Sequence, residues 1–453
     1  MSSQKIVSEL LEKYREVTDS RVESGIEKNR KGDGVIKITD SNGKPVPDAH
    51  IEIKQTSHDF KYGANLFLLD ELPTDEENQK YQEFFSQTFN LATVPFYWGD
   101  LEPEQGKPRY TADSPKIYRR PAPDLCVDFC EKHGIEPKAH CLVYDKFSPD
   151  WLPDDVKEIK KLYEKRFREL ADRYAKRIPS WEVINETLQC WLNEECNVMP
   201  DGKTPLFLEH DLLDWAFALA KQYFPDNELI INEGNPVVKN QYRSFRSNYY
   251  LQIEGLLQRG AKIDKIGLQH HNFSGVHGKT ATEKEIAEQC EQFYNPYVMY
   301  LFLDLYETLQ KPLQLTEITV PTYADSEEEE QVQAELIRHL YSMWFSHGAV
   351  DSIVYWNTVD QRAFESPNWN ENLCRGGLLH KDLSLKPSGK MIQWLFGEHW
   401  RTNAALQTDE AGKAGIRGFY GKYDIEVNAG GKRLKTEVHI QKGKDNCFSI
   451  QLM

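Results

Sequence analysis

No pair of cysteines has the C-x-x-C spacing of a structural zinc site, so none is expected. The eight cysteines are scattered, at positions 126, 130, 141, 190, 196, 290, 374 and 447. Cys126 and Cys130 stand one helical turn apart and read as buried thiols rather than a disulfide. No stretch approaches the about 18 consecutive apolar residues of a membrane-spanning helix. Residues 1–30 are charged and lack an apolar core segment, so no signal peptide is visible. With Met1 as the native start, a cytoplasmic protein with reduced thiols is expected; with a signal peptide removed, an extracellular one. Positive charge is in deficit. Lys and Arg number 55 against 71 Asp and Glu, a net −16, which argues against nucleic acid or an anionic membrane surface as partner. It does not by itself argue for a cationic ligand.

What is present is an ordinary globular composition, 40% hydrophobic and 28% charged, with a high aromatic share of 12% that includes 10 Trp and 22 Tyr. The 453 residues exceed one small domain and suit a barrel of about 250 to 350 residues plus a smaller part. The aromatics could stack on sugar rings, although most of them belong to a core.

Two stretches organise the chain. Trp181-Glu182-Val183-Ile184-Asn185-Glu186 and Leu313-Gln314-Leu315-Thr316-Glu317 are short apolar, β-branched runs that suit strands buried on both faces. Each ends in a carboxylate. In a barrel of parallel strands the carboxyl ends carry the chemistry, and two carboxylates on different strands are what glycoside hydrolysis requires. Glu186 is expected to be the general acid/base, protonated at first with its pKa raised, and Glu317 the ionised nucleophile, with carboxyl groups about 5 to 5.5 Å apart. Asn185 can donate a hydrogen bond to a sugar hydroxyl in the same pocket. The bland alternative is a pair of strand-end carboxylates matched with Arg or Lys.

Between and around these runs, strands and helices alternate. Residues 1–30 read as an N-terminal helical extension. Val35 to Asp40 and Ala49 to Gln55 alternate around a turn centred on Asn42-Gly43, a hairpin signal. Strands are expected at 62–65, 91–94, 137–143, 181–184, 229–232, 266–269, 313–316 and 353–356. Helices are expected at 74–89, 122–133, 154–175, 206–223, 238–259, 282–308, from Ser326 onward and at 388–396, with a polar insertion over 190–204. The acidic run Glu327 to Glu330 follows Ser326 as the first turn of its helix, where carboxylates are favoured. Eight such alternations predict a (β/α)8 TIM barrel over 61–397. Short strands after Gly397, at 415–420, 423–427, 434–440 and 447–452, are expected to join the N-terminal hairpin, so that 31–60 and 398–453 form a small β-sandwich module.

These residues carry a resemblance. Trp181 to Glu186 resembles the W-D/E-V-x-N-E segment of glycoside hydrolase family 10, the retaining β-xylanases, and Gln314 to Glu317 its Q-I/L-T-E strand. Leu101-Glu102-Pro103-Glu104-Gln105-Gly106 resembles the family's L-E-P-E-x-G loop. Gln269-His270-His271 looks like its Q-S/T-H, which implies that Gln269 and His271 lie beside the nucleophile. A metal held by His270 and His271 is disfavoured, because neighbouring strand residues face opposite ways. His140 resembles a family residue that bonds the sugar at the cleavage site, and Trp356 the one that floors it. The resemblance also departs from pattern. Val94 and Tyr97 stand where the family's E-N-x-x-K-W carries Asn and Lys, in a segment ending at Trp98. Tyr144-Asp145 stands for Trp-His, and Phe364 for a covering aromatic that is often Trp. The machinery is kept while the neighbouring subsite is rebuilt. The expected function is therefore a retaining endo-1,4-β-xylanase acting on xylan or xylo-oligosaccharides, without cofactor or metal. The alternatives are a retaining β-glycosidase for another β-linked glycan or glycoconjugate, and a carbohydrate-binding protein without catalysis. Tyr144, Trp98 and Phe364 join the expected substrate contacts, and the oligomeric state stays open.

Overall fold

The computed structural model describes residues 3–188, 204–234 and 247–453. Eight parallel strands close a barrel: β3 (Lys61–Asn65), β4 (Leu91–Pro95), β5 (Glu136–His140), β6 (Ser180–Asn185), β7 (Glu228–Glu233), β8 (Lys265–His271), β9 (Leu313–Thr319) and β10 (Val350–Tyr355), with β10 returning to β3, and two short strands that follow, β11 (Glu365–Ser366) and β12 (Trp369–Asn370), pair with each other. The chain is a (β/α)8 barrel with further β-sheets built from its two ends. The strands β4, β6 and β9 are buried at every position, as a sheet covered by helices on one side and filled by side chains on the other requires.

Helix starts are set locally. Thr74 and Thr282 make capping boxes with Glu77 and Glu285, and Asp155 accepts from the amides of Lys157 and Glu158. Helix Pro123–His133 ends at Gly134 with φ 66°, a left-handed position that glycine takes without strain. It carries Cys126 and Cys130 as buried free thiols. The expected helix over 282–308 is two helices, Glu283–Phe293 and Pro296–Glu307. The proline after Asn295 disfavours helical backbone there, and the Asn295 side chain caps the second helix instead. The segment expected as one helix from 206 opens as a 3-10 turn, Pro205–Leu208, before helix Leu212–Tyr223. The polar insertion at 190–204 and the start of the helix expected at 238 lie outside the described residues, apart from Thr204; the rest of that helix spans Asn248–Gln258.

Two compact units divide the chain. One comprises Met1–Tyr14, Tyr62–His339 and Ala349–Lys390, and holds the barrel. The other comprises Arg15–Lys61, Leu340–Gly348 and Met391–Met453. In it, β1 (Lys31–Thr39) lies between β14 (Lys413–Phe419) and β17 (Cys447–Gln451). A second sheet runs β13 (Asn403–Gln407), β2 (His50–Gln55), β15 (Gly421–Ala429), β16 (Lys432–Ile440). The expected hairpin of β1 with β2 is thereby corrected: the two strands belong to different sheets, each paired with C-terminal strands. The Asn-Gly turn carries the chain from one sheet to the other. That crossing sets Ile36 and Ile38 of β1 in one core with Ile51 and Ile53 of β2, Ile416, Ile425 and Val427. A flat hairpin would leave both isoleucine rows on one open face. β13 was not anticipated. Among the described residues no helix is long and apolar enough to cross a membrane.

Candidate active site

The carboxyl ends of the barrel strands surround a cavity of about 320 Å³, at the small end of ligand sites. Asn185, Glu186, Gln269, His271, Glu317, His140, Tyr144, Trp356 and Phe364 all line it. Trp98 does not. Its indole is buried, donates to Glu102 Oε2 at 2.8 Å and packs on Tyr163 and Trp151, so its expected contact with substrate is corrected to a structural one.

Glu186 follows β6, and Glu317 lies within β9. Glu186 holds φ 55°, a left-handed conformation unusual for a residue with a Cβ, with its amide donating to Asn232 O at 3.1 Å. One nitrogen joins the two carboxylates. Gln269 Nε2 donates to Glu186 Oε1 at 3.0 Å and to Glu317 Oε1 at 3.0 Å. Those two oxygens can be no further apart than twice that distance, which is short of the about 6.5 Å where the inverting arrangement begins. Glu317 Oε1 also accepts from Asn232 Nδ2 at 3.0 Å, and Oε2 lies 3.3 Å from His271 Nε2. Tyr144 donates its hydroxyl to Glu186 Oε2 at 2.6 Å. Asn185 offers its Oδ1 to Asn232 and Gln269.

Beneath this pair lies a buried charged network. Glu182, fully buried on β6, pairs with Lys138 of β5 through one oxygen and with His140 Nδ1 through the other. Burial alone would raise the Glu182 carboxyl, but Lys138 and then His140 outweigh it and hold it well below the usual range. Glu317 goes the other way. Burial pushes its pKa up and the neighbouring Glu182 and Glu186 add to this, against the pull of His140 and Lys138. The upward shift was expected on Glu186, in the reading that kept Glu317 ionised. His140, Glu182 and Glu317 present ligand atoms within 4.8 Å of one another, a grouping with metal-like composition. The Lys138 ammonium already supplies the cation at Glu182.

His140 was expected to bond sugar directly. Both its ring nitrogens are engaged, Nδ1 by Glu182 and Nε2 by the Tyr97 hydroxyl at 2.9 Å. Tyr97 thus engages the second nitrogen of His140, and forms an aromatic wall with Phe67, Phe147 and Trp356. His271 lines the cavity with Nδ1 2.8 Å from Thr319 Oγ1, whereas His270 turns outward onto Phe293, and burial lowers its pKa to about 3. Glu233 is not among the residues that line the cavity and accepts from the Leu188 amide at 2.9 Å.

Asn232, Lys138, Glu182, Phe67, Phe147 and Trp369 were not among the expected site residues. For Lys138 and Glu182 a signal existed: a charged residue inside a strand buried on both faces must find a partner on the next strand. The aromatics lie in segments that connect the barrel strands and helices, Phe147 in a 3-10 turn and Trp369 in a two-residue strand, and have no such signal.

A family model described as glycosyl hydrolase family 10 matches residues 71–387. The chain belongs to that family. Curated relatives include endo-1,4-beta-xylanase 2 of Arabidopsis thaliana, 22% identical with 91% of this chain and 34% of the relative covered. Anti-sigma-I factor RsgI6 of Acetivibrio thermocellus is 23% identical, with 89% and 46% covered. The chain therefore spans less than half the length of these relatives. Endo-1,4-beta-xylanase B of Paenibacillus barcinonensis is 26% identical, with 66% and 85% covered. Among solved structures, xylanase 10B of Thermotoga petrophila in complex with xylobiose shares the fold, with a TM-score of 0.54 at 20% identity, 75% of this chain and 95% of that one covered.

Proposed function

We propose that the protein is a retaining β-glycoside hydrolase of the endo-1,4-β-xylanase type, acting on xylan or xylo-oligosaccharides. The observation that carries this is the Gln269 amide bridging Glu186 and Glu317 at 3.0 Å each. Glu186 and Glu317 titrate as a pair, and the productive form has Glu317 ionised and the proton on Glu186: Glu317 attacks the anomeric carbon while Glu186 gives that proton to the departing glycosidic oxygen, leaving a glycosyl ester on Glu317. Glu186, now ionised, takes a proton from water, and the water oxygen displaces Glu317 with net retention. Asn232, Gln269 and His271 hold Glu317 in place through both steps, and Tyr144 orients Glu186. Trp356 provides the floor for the sugar. The xylanase names of the relatives support xylan as the polymer. The wall of Tyr97, Phe67 and Phe147 favours a short or modified chain, which keeps another β-linked glycan as the second reading.

The test is incubation with xylan, xylohexaose and aryl β-glycosides, together with trapping by a 2-fluoro glycoside and peptide mapping. Oligosaccharide release with label on Glu317 is expected. Aryl glycoside cleavage without action on xylan selects the second reading. Sugar binding with neither label nor turnover defeats both.

A further inference from the structure

Three cations border the cavity on the side of Tyr97, although the protein as a whole is strongly acidic. Arg119 and Arg120 both lie against the Phe67 ring, at 5.7 and 5.5 Å from its centre. Arg120 and Lys146 both lie against the Phe147 ring, at 5.2 and 5.8 Å, and Lys146 is 5.3 Å from Phe364. The shared rings place the three side by side. Arg120 is neutralised by Asp100 at 2.6 Å. The other two are not neutralised: among the described residues no carboxylate comes within 4.0 Å of Arg119 or Lys146.

Arg119 is the unusual one. It is only 4% exposed, and its guanidinium meets two neutral oxygens, Asn357 Oδ1 at 2.8 Å and the Arg362 carbonyl. Two of its five N–H donors are therefore used, and its buried Nε has no acceptor. Burial works against its charge, and Glu371 offsets part of this from beyond ion-pair distance. Glu371 itself is engaged by Asn357 Nδ2 at 2.6 Å and Trp369 Nε1 at 3.3 Å. A buried cation without a counter-charge is costly unless something brings one. A neutral xylose unit cannot do so.

We infer that the cavity takes an anionic sugar, a uronosyl unit whose carboxylate is met by Arg119 and Lys146. This rests on the hydrolase reading above and narrows its substrate. A planar carboxylate suits a guanidinium with spare donors, and the ammonium of Lys146 at the mouth adds a second positive charge that steers anions inward. Arg120, stacked over Tyr97 at 4.2 Å and tied to Asp100, braces the wall behind them.

The experiment compares kcat/KM within matched pairs: aryl β-D-glucuronide against aryl β-D-glucoside, and glucuronosyl-branched against unbranched xylotetraose. A preference for the acidic member of about tenfold or more is expected in at least one pair, since hydrogen bonds to charged groups exceed one factor of ten. The preference should shrink as salt is raised. It should fall several-fold in Lys146→Gln, an exposed change that keeps the fold testable, and more in Arg119→Met, with partial recovery in Arg119→Lys. Turnover of the neutral members with equal or better kcat/KM in both pairs overturns the inference and leaves the hydrolase reading standing. Preference for a 6-sulfated glucoside over the glucuronide overturns the uronate assignment. No turnover of any substrate removes the hydrolase reading and this inference with it.

Discussion

Replacing Glu317 with Gln should abolish turnover and make the barrel more stable, by an amount that depends on pH. Glu317 is 4% exposed and has Glu182 and Glu186 beside it, and its carboxyl is pushed up to about 8. A group whose folded pKa lies above its unfolded value holds its proton longer in the folded state. The folded protein then binds more protons than the unfolded chain between the two values, so stability falls as pH rises through that window. At pH 7 the unfolded carboxyl is fully ionised, and at about 1.4 kcal/mol per pH unit the penalty reaches about 3 kcal/mol. The amide of Gln carries no charge to desolvate, and its carbonyl can accept from Asn232 and Gln269 as Oε1 does now. Calorimetry of the wild type and Glu317→Gln from pH 4.5 to 8 should show the variant melting several degrees higher at pH 7 to 8, converging near pH 4.5. A variant that melts lower at pH 7.5, or a gap that does not change with pH, would refute the electrostatic account.

Lys138→Met leaves Glu182 buried without its cation and should cost about 3 to 5 kcal/mol, while Lys138→Met/Glu182→Gln recovers much of it; urea unfolding of the three proteins checks this, and equal loss in single and double variants would count against it. Glu186→Ala should lower kcat on xylo-oligosaccharides by about 100- to 10,000-fold, and far less on aryl glycosides whose leaving group needs no proton, as steady-state kinetics on both substrates will show. Gly63→Ala should prevent barrel closure, because a Cβ there would stand 2.0 Å from the Leu91 carbonyl on the adjacent strand; soluble expression with an unchanged melting temperature would contradict this. Below pH 4 the wild type should lose the contribution of Glu182, whose folded pKa is depressed, and Glu182→Gln should flatten that acid limb of the stability profile.

Much of the barrel could be read from the amino-acid order, because its signals are local. Apolar β-branched runs, helix caps such as Thr74 and Thr282, and carboxylates placed at strand ends depend on spacing over a few residues. Glu186 and Glu317 could be named on that basis, Gln269 and His271 only through the resemblance of their segment to the family's, and the structure brings all four to one cavity. Packing decided the rest. The Asn-Gly turn signals a reversal of the chain but not which strands pair, so only the tertiary structure reveals that β1 and β2 lie in different sheets that share one isoleucine-rich core. Trp98 stood among the expected substrate contacts, yet it turns into the core to reach Glu102, and no local rule sets that direction. Tyr97 was visible as a departure, but its bond to His140 exists only because two strands meet. Arg119, Arg120 and Lys146 lie in connecting segments with no periodicity. Their charges become meaningful only where Phe67 and Phe147 gather them at one wall, since electrostatic effect depends on distance through space and on burial, neither of which is written along the chain.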